Sequence, residues 1–510
     1  MSLNITSEHD FDVVIVGAGP AGLSVASELA EKYKVLVVDA RPEQPRGKGR
    51  LQSLEVPDGS EIPLAKRVNR SWFSPHDCLY DNPDIVDCRK PAGVMRFLAR
   101  TFSGPTGDDP EQFDLAWASK LFDHAPLPDR YPYLDEYKLI AHWEQKIFDS
   151  VNRSRIRSGR FYQSHKAFPD HVEVSFLVDP DDPTAGRGET YRCRLLLDAS
   201  GHDSDIRKEY GEQQRNVYWW TVFGAICTHP EGDIVTAPTP GHPLVVGDYM
   251  LWQTFAAGHV DPQAPLHQGR PVMEYEILDE RTSFPLILFL RPYKITLERA
   301  RAEFEKILHD EPSTRAFKNA EITELKFGHY PSGRTFRSYA QHRVDFVGDA
   351  GLWTTPCGWG ASFILKNYAP YCRLLDGLLE QDRLDKGSLR KLPGKHTKRA
   401  EFFMNTVVTR FLSFGTVQQL DQFIALFREL DPVICERIFT LRADPRDLWQ
   451  FSRLAARRMG VLPLLKALPR RERSQVLADL AQAALQFGKE GTLQLLGKEP
   501  ERGFGVFAQR

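Results

Sequence analysis

Cysteine is scarce and scattered: seven residues in 510, with no Cys-x-x-Cys pair among them. That excludes a disulfide framework and a cysteine-built zinc site. An excess of either charge is also missing. Lys and Arg number 66 against 68 Asp and Glu, for a formal charge of −2, so no basic field draws in nucleic acid. Apolar runs are short. Phe284-Pro-Leu-Ile-Leu-Phe-Leu290 falls well below the roughly 18–20 residues that cross a bilayer. The first ten residues have neither a basic n-region nor an apolar h-region, and with reduced cysteines the expected setting is cytoplasmic. Histidine pairs such as His165/His171 and His329/His342 lack ligand spacing, so no metal site is expected.

What is present is material for large cores, with 42% hydrophobic residues. Residues 11–40 read strand, glycine turn, helix, strand. Residues from about 190 to 345 carry short alternating runs such as Pro271-Val-Met-Glu-Tyr-Glu-Ile277 and many Pro/Gly turns, the pattern of an antiparallel sheet. Beyond about 376 the pattern is helical, amphipathic and basic. The fold class expected is α/β: a Rossmann-like nucleotide-binding domain, an antiparallel-sheet substrate domain and a helical C-terminal region.

The N-terminal pattern carries chemistry. Phe11-Asp-Val-Val-Ile-Val16 suits a buried parallel strand. It runs into Gly17-Ala-Gly19-Pro20-Ala21-Gly22 and a helical stretch, and Val35-Leu-Val-Val-Asp39 follows as a second strand ending in a carboxylate, before Ala40. Gly17 permits the tight turn, Gly19 lets backbone approach a pyrophosphate, and Gly22 lets helix pack on strand. The helix start offers N–H groups to phosphate, and Asp39 stands at the spacing from which a carboxylate reaches ribose hydroxyls. Further along, Leu195-Leu-Leu-Asp-Ala-Ser-Gly201 is a strand ending in a small-residue turn, followed by His202–Arg207. Later still, Val344-Asp-Phe-Val-Gly348-Asp349-Ala-Gly351 is another strand reaching Gly-Asp, with Pro356, Gly358, Trp359 and Gly360 before an apolar helix.

These three ordered segments resemble flavoproteins of the p-hydroxybenzoate hydroxylase type, over most of residues 11–372. The resemblance implies FAD, with Gly348-Asp349 at the ribityl and pyrophosphate and the helix start at Gly360 beneath the flavin ring. It assigns residues 1–70, 130–210 and 340–375 to the FAD-binding domain, 71–129 and 211–339 to the substrate domain, and 376–510 to the helical region. Asp198-Ala-Ser200-Gly201, where aromatic hydroxylases carry Asp-Gly, is closer to lycopene cyclases, geranylgeranyl reductases and flavin-dependent halogenases. The halogenase Trp-x-Trp-x-Ile-Pro block and the reductase Tyr-x-Trp-x-Phe-Pro block are absent. In the tail, Lys398–Met404, Phe411–Phe414, Leu420–Phe427, Leu430-Asp-Pro432, Arg437–Phe439 and Asp447–Phe451 follow one another as in lycopene cyclases, where such helices close over a lipophilic tunnel. The cyclase acid segment aligns best with Leu288-Phe-Leu-Arg-Pro292, and Arg291 cannot act as a general acid at neutral pH.

The activity implied is an FAD-dependent oxidoreductase, a monooxygenase on a hydrophobic natural-product or isoprenoid-like substrate. The alternative is a non-redox cyclase or isomerase that needs reduced FAD. Trp220, Trp252, Arg291 and Cys357 are the pocket candidates, and no catalytic residue is assigned. With no second glycine fingerprint, NAD(P)H reaches the flavin through a shared cleft, or a flavin or ferredoxin-type reductase supplies electrons. The basic pairs Arg457-Arg458 and Arg470-Arg471 suit peripheral contact with a membrane.

Overall fold

Five of the six residues in Phe11–Val16 are buried, which only a strand covered on both faces achieves. The structure, a computed structural model, describes residues 9–41, 51–55, 61–65, 86–87, 97–99, 133–134, 136–178, 188–211, 216–230, 249–253, 272–277, 281–310, 320–333, 340–351, 353, 360–392 and 445–460, with isolated positions between 416 and 434. Within these residues Phe11–Val16 lies at the centre of an eight-stranded sheet. It pairs in parallel with Val35–Val38 on one side and Glu189–Asp198 on the other. Val344–Phe346 adds in parallel beyond Glu189–Asp198, and Arg155–Arg157 beyond Val35–Val38.

The two faces of this sheet are covered differently. Val13, Ile15, Val35, Val37, Leu195 and Leu197 pack under helices Pro20–Leu29, Glu136–Phe148 and Gly360–Glu380. Val14, Leu36 and Leu196 face Val172, Val174 and Phe176 of an antiparallel meander. Because both sides are dry, the strands read as continuous apolar runs, and truncating any one of these side chains to Ala costs about 2–4 kcal/mol. One ion pair fastens the excursion that contains Val344–Phe346 and helix Gly360–Glu380. Arg343 and Asp382, both with left-handed backbone (φ 56° and 51°), bond to each other across its two ends, Nη1 to Oδ1 at 2.9 Å.

The second sheet also has eight strands, in the order Leu51–Glu55, Glu61–Ala65, Glu321–Gly333, Asn216–Thr228, Thr282–Arg291, Val272–Ile277, Tyr249–Gln253 and Phe97–Ala99. Its centre is antiparallel. Leu64 and Ala65 pair with Leu325 and Lys326, so the first two of these strands complete the edge of the second sheet. Helix Leu297–Asp310 covers one face, with Phe304 against Phe223 at 5.2 Å between ring centres. The other face is apolar, built from Val222, Leu286 and Leu288 with Trp220, Ile226 and Tyr330. Of the helical tail, the described residues include helices Lys386–Leu389 and Pro445–Met459; Lys398–Met404, Phe411–Phe414, Arg437–Phe439 and Arg470-Arg471 lie outside them.

Candidate cofactor site

Three chain segments meet where the parallel strands end, the edge at which open α/β sheets bind ligands. Gly17 leaves the first strand at φ 107°, and a Cβ on it would stand 2.4 Å from the Ala199 carbonyl oxygen. A Cβ on Gly22 would stand 1.9 Å from the Gly17 carbonyl oxygen. On Gly348, at φ 61°, it would stand 2.5 Å from the Ala21 Cβ. No other residue fits these three positions, because each is closed by neighbouring protein. Gly19 differs: its missing Cβ would point into open space. It caps helix Pro20–Leu29 without a side-chain hydrogen bond, with Pro20 in the first turn, so the N–H groups of that turn are not taken by a cap. Gly201, at φ 91°, also borders open space. The result is a backbone cradle closed behind and open in front, which fits a diphosphate.

The second and third segments are joined by side chains. Asp198, fully buried at the end of its strand, accepts hydrogen bonds from the Ser200 N–H and the hydroxyls of Ser200 and Ser204. Burial pushes its carboxyl up, and those three donors pull it back down. Ser204 caps the helix Asp205–Glu209 by accepting from the Arg207 N–H. The Arg207 guanidinium, itself buried, donates to the carbonyls of His202 and Ala350. The turn after Gly201 is thereby tied to the turn Gly348–Gly351. Asp349 in that turn accepts no hydrogen bond among the described residues. Burial raises its carboxyl to about 6, against the opposing pull of Arg207.

Asp39 is buried, and its four acceptor sites are already used. Oδ2 takes the Ala18 N–H at 2.7 Å and Arg41 Nη2 at 2.9 Å; Oδ1 takes the Arg41 N–H at 2.8 Å and Nε at 3.0 Å. The carboxylate at the ribose-binding spacing thus holds the glycine turn, with a half-exposed arginine lying over it. Ala40 comes next, exposed at the strand end. Gly360 is the first residue of helix Gly360–Glu380; Pro356, Cys357, Gly358 and Trp359 lie outside the described residues.

The pocket candidates separate. Trp220 pairs with Leu290 and Tyr330 on the apolar face of the second sheet, and its buried indole Nε1 has no hydrogen-bond partner among the described residues. Arg291 pairs with Trp219, one residue out of step and therefore on the opposite face. Trp252 lies opposite Met273 in the register.

Two groups of side chains carry no signal in the sequence. Near the second turn, Lys294 lies 4.3 Å over the Trp219 ring, 2.7 Å from Asp203 Oδ2 and 3.2 Å from His202 Nε2. Desolvation lowers both His202 and His329 to about 4, so both are neutral at pH 7. The Thr221 hydroxyl accepts the Ile295 N–H, leaving its own proton for His329 Nδ1 at 3.0 Å. The second group is Tyr137, Glu324 and Lys326. Tyr137 Oη donates to Glu324 Oε1 at 2.7 Å, and Lys326 Nζ stands 2.7 Å from the same oxygen.

Among known proteins, the family model described as lycopene cyclase protein matches residues 12–81. No curated protein sequence matches this chain. Solved structures do. One is a geranylgeranyl bacteriochlorophyll reductase-like protein from Thermoplasma acidophilum, 13% identical, with a TM-score of 0.56 over 87% of this chain and 99% of that one. Another is the halogenase PltM in complex with phloroglucinol and FAD, 12% identical, with a TM-score of 0.56 over 94% and 96%. A third is the rebeccamycin biosynthetic enzyme RebC with reduced flavin, 16% identical, with a TM-score of 0.51 over 89% and 76%. At such identities the likeness is one of fold. The chain shares a two-sheet, Rossmann-type α/β fold with these structures.

Proposed function

We propose that the protein is an FAD-dependent oxidoreductase that inserts oxygen into a hydrophobic substrate held between the cradle and the apolar face of the second sheet. The observation that carries this reading is the convergence of residues 17–22, 199–204 and 348–351 on one edge, closed by Gly17, Gly22 and Gly348 and open at Gly19. When bound, FAD supplies two-electron redox chemistry and reaction with oxygen. The chain's own residues do the rest. The backbone around Gly19 and the first turn of helix Pro20–Leu29 bind the diphosphate. Asp349 accepts hydroxyl protons of the ribityl chain, and Arg207 fixes the relation between the two turns. Val222, Leu286, Leu288 and Trp220 exclude water on the substrate side. Electrons come from NAD(P)H through the shared cleft or from a partner reductase.

Purified protein should be yellow, release FAD on denaturation, bleach with a reductant and consume oxygen only with substrate present. Oxygen-independent turnover would remove the monooxygenase reading. The family-model match over residues 12–81 favours a second reading, a reduced-FAD-dependent cyclase or isomerase. Product mass separates the two: a gain of one oxygen atom supports the first, an unchanged mass the second. Among the described residues no helix is long and apolar enough to cross a membrane. Delivery of the substrate by peripheral contact through the basic helix Pro445–Met459 is part of the proposal, and flotation with anionic vesicles tests it.

A further inference from the structure

Register places three carboxylates on the apolar face of the second sheet: Glu274 and Glu276 opposite Leu286 and Phe284, and Glu324, which two donors hold in place. Glu324 pairs with Ile226, and Lys326 with Gly224, in the antiparallel register. Ile226 belongs to the apolar cluster of Val222, Leu286 and Leu288, so Glu324 and Lys326 share that face. The opposite face is the one covered by helix Leu297–Asp310. Tyr137, which reaches Glu324, starts the helix Glu136–Phe148. The far end of that helix lies along the cradle helix Pro20–Leu29, through Lys146 to Glu28. Glu324 therefore stands between the second sheet and the helical layer that carries the cofactor cradle.

Its two oxygens are unequal. Oε1 takes both Tyr137 Oη and Lys326 Nζ, each at 2.7 Å. Oε2 accepts no hydrogen bond among the described residues. The Glu324 side chain is 17% exposed and Lys326 4%. Removing a lysine and a glutamate from water is expensive, and an apolar pair of the same volume would be equally stable or more so. The arrangement instead fixes one carboxylate oxygen and leaves the other presented from an apolar wall. A fixed acceptor in such surroundings is satisfied by a single hydroxyl donor on an otherwise apolar molecule.

We propose that Glu324 Oε2 is a specificity determinant of the substrate site, and that it selects an apolar substrate bearing a hydroxyl group, over its ether or hydrocarbon counterparts. This rests on the reading of the apolar face as the substrate wall.

The test uses the full chain, with FAD content measured on the same preparation, and two probes on one ring system: 2-naphthol, which donates a proton, and its methyl ether 2-methoxynaphthalene, which does not. The native chain should prefer naphthol by roughly ten- to a hundred-fold, the factor carried by a hydrogen bond to a charged group. In Glu324→Gln, Tyr137 and Lys326 still donate to the position of Oε1. They pin the amide oxygen there and turn its NH2 outward. The acceptor becomes a donor, so the preference should vanish while methoxynaphthalene binds as well as before, or better. FAD content should hold, because the inner hydrogen bonds remain, while the melting temperature falls as Lys326 loses its counter-charge. A native chain that binds both probes equally, or a Glu324→Gln variant with an unchanged ratio, would overturn the proposal and leave Glu324 a strut. Loss of FAD from the native chain would instead count against the cofactor reading.

Discussion

The two sheets build their share of the site by opposite means. At the end of the first sheet the groups that matter are backbone: glycines chosen by crowding at Gly17, Gly22 and Gly348, and by openness at Gly19. On the second sheet they are side chains, set by register and by partners from remote parts of the chain, as with Tyr137 on Glu324, 187 residues apart. A backbone site tolerates no added atom. A side-chain site tolerates exchange as long as its partners are exchanged with it. The two regions should therefore fail differently under mutation.

The sharpest break should come from Gly22→Ala. Its Cβ collides with the Gly17 carbonyl oxygen, and the loss should exceed about 3 kcal/mol, seen as lost soluble yield or a collapsed melting temperature. Gly19→Ala is the contrast. Its apo stability should fall by no more than about 1 kcal/mol, and its FAD affinity should suffer more than its stability. Equal damage from both would erase the distinction between a closed and an open side of the cradle.

On the second sheet, Lys326→Met alone should cost about 2–4 kcal/mol in denaturant melts, because Glu324 is left without its counter-charge. Adding Glu324→Leu should restore most of it. A double variant as unstable as the single one would show that this region, too, admits only its native groups.

Asp349→Asn sharpens the comparison inside the cradle. The native carboxyl, near 6 against an ordinary 3.8, stabilises the apo chain fully below about pH 4, and that contribution is lost as pH rises through about 6. The amide should flatten this slope, raise apo stability at neutral pH by up to about 3 kcal/mol, and weaken FAD binding. Melts between pH 4 and 7.5, with and without FAD, check all three. Arg41→Ala should do least, under about 1 kcal/mol, since the arginine is partly exposed and the Ala18 and Arg41 backbone N–H groups keep their bonds to the buried Asp39. FAD affinity should stay level or rise as acceptor sites on Asp39 open.

The difference between the regions also governs how much of each is legible in the sequence. Glycine at 17, 19 and 22 is legible because turn, approach and close packing are local demands that one residue type alone meets, and the same holds for Gly348. That Asp39 is already saturated by Ala18 and Arg41 is invisible in spacing, since spacing says nothing about competing donors. Arg207 stands in a stretch whose only sequence signal is its place after the second turn; the Ser204 cap three residues before it marks a helix start, but not the carbonyl of Ala350 as its target. Arg291 sits in an apolar run whose two faces periodicity cannot tell apart, and pairing with Trp219 is what separates it from Trp220. Glu324 depends on register across Asn216–Thr228 and on a tyrosine from an earlier helix. The place of Leu51–Ala65 at the edge of the second sheet likewise depends on a distant partner, Glu321–Gly333.

The bond between Arg343 and Asp382 has a topological corollary. It joins the entrance and the exit of a detour of some forty residues, so the ends of that detour stay in register with the first sheet whatever happens along it. Length changes in its middle should be absorbed locally, like slack in a rope tied at both posts. Cutting the knot, by Asp382→Ala, should let the turn at Gly348 drift from Ala21 although neither residue has been touched.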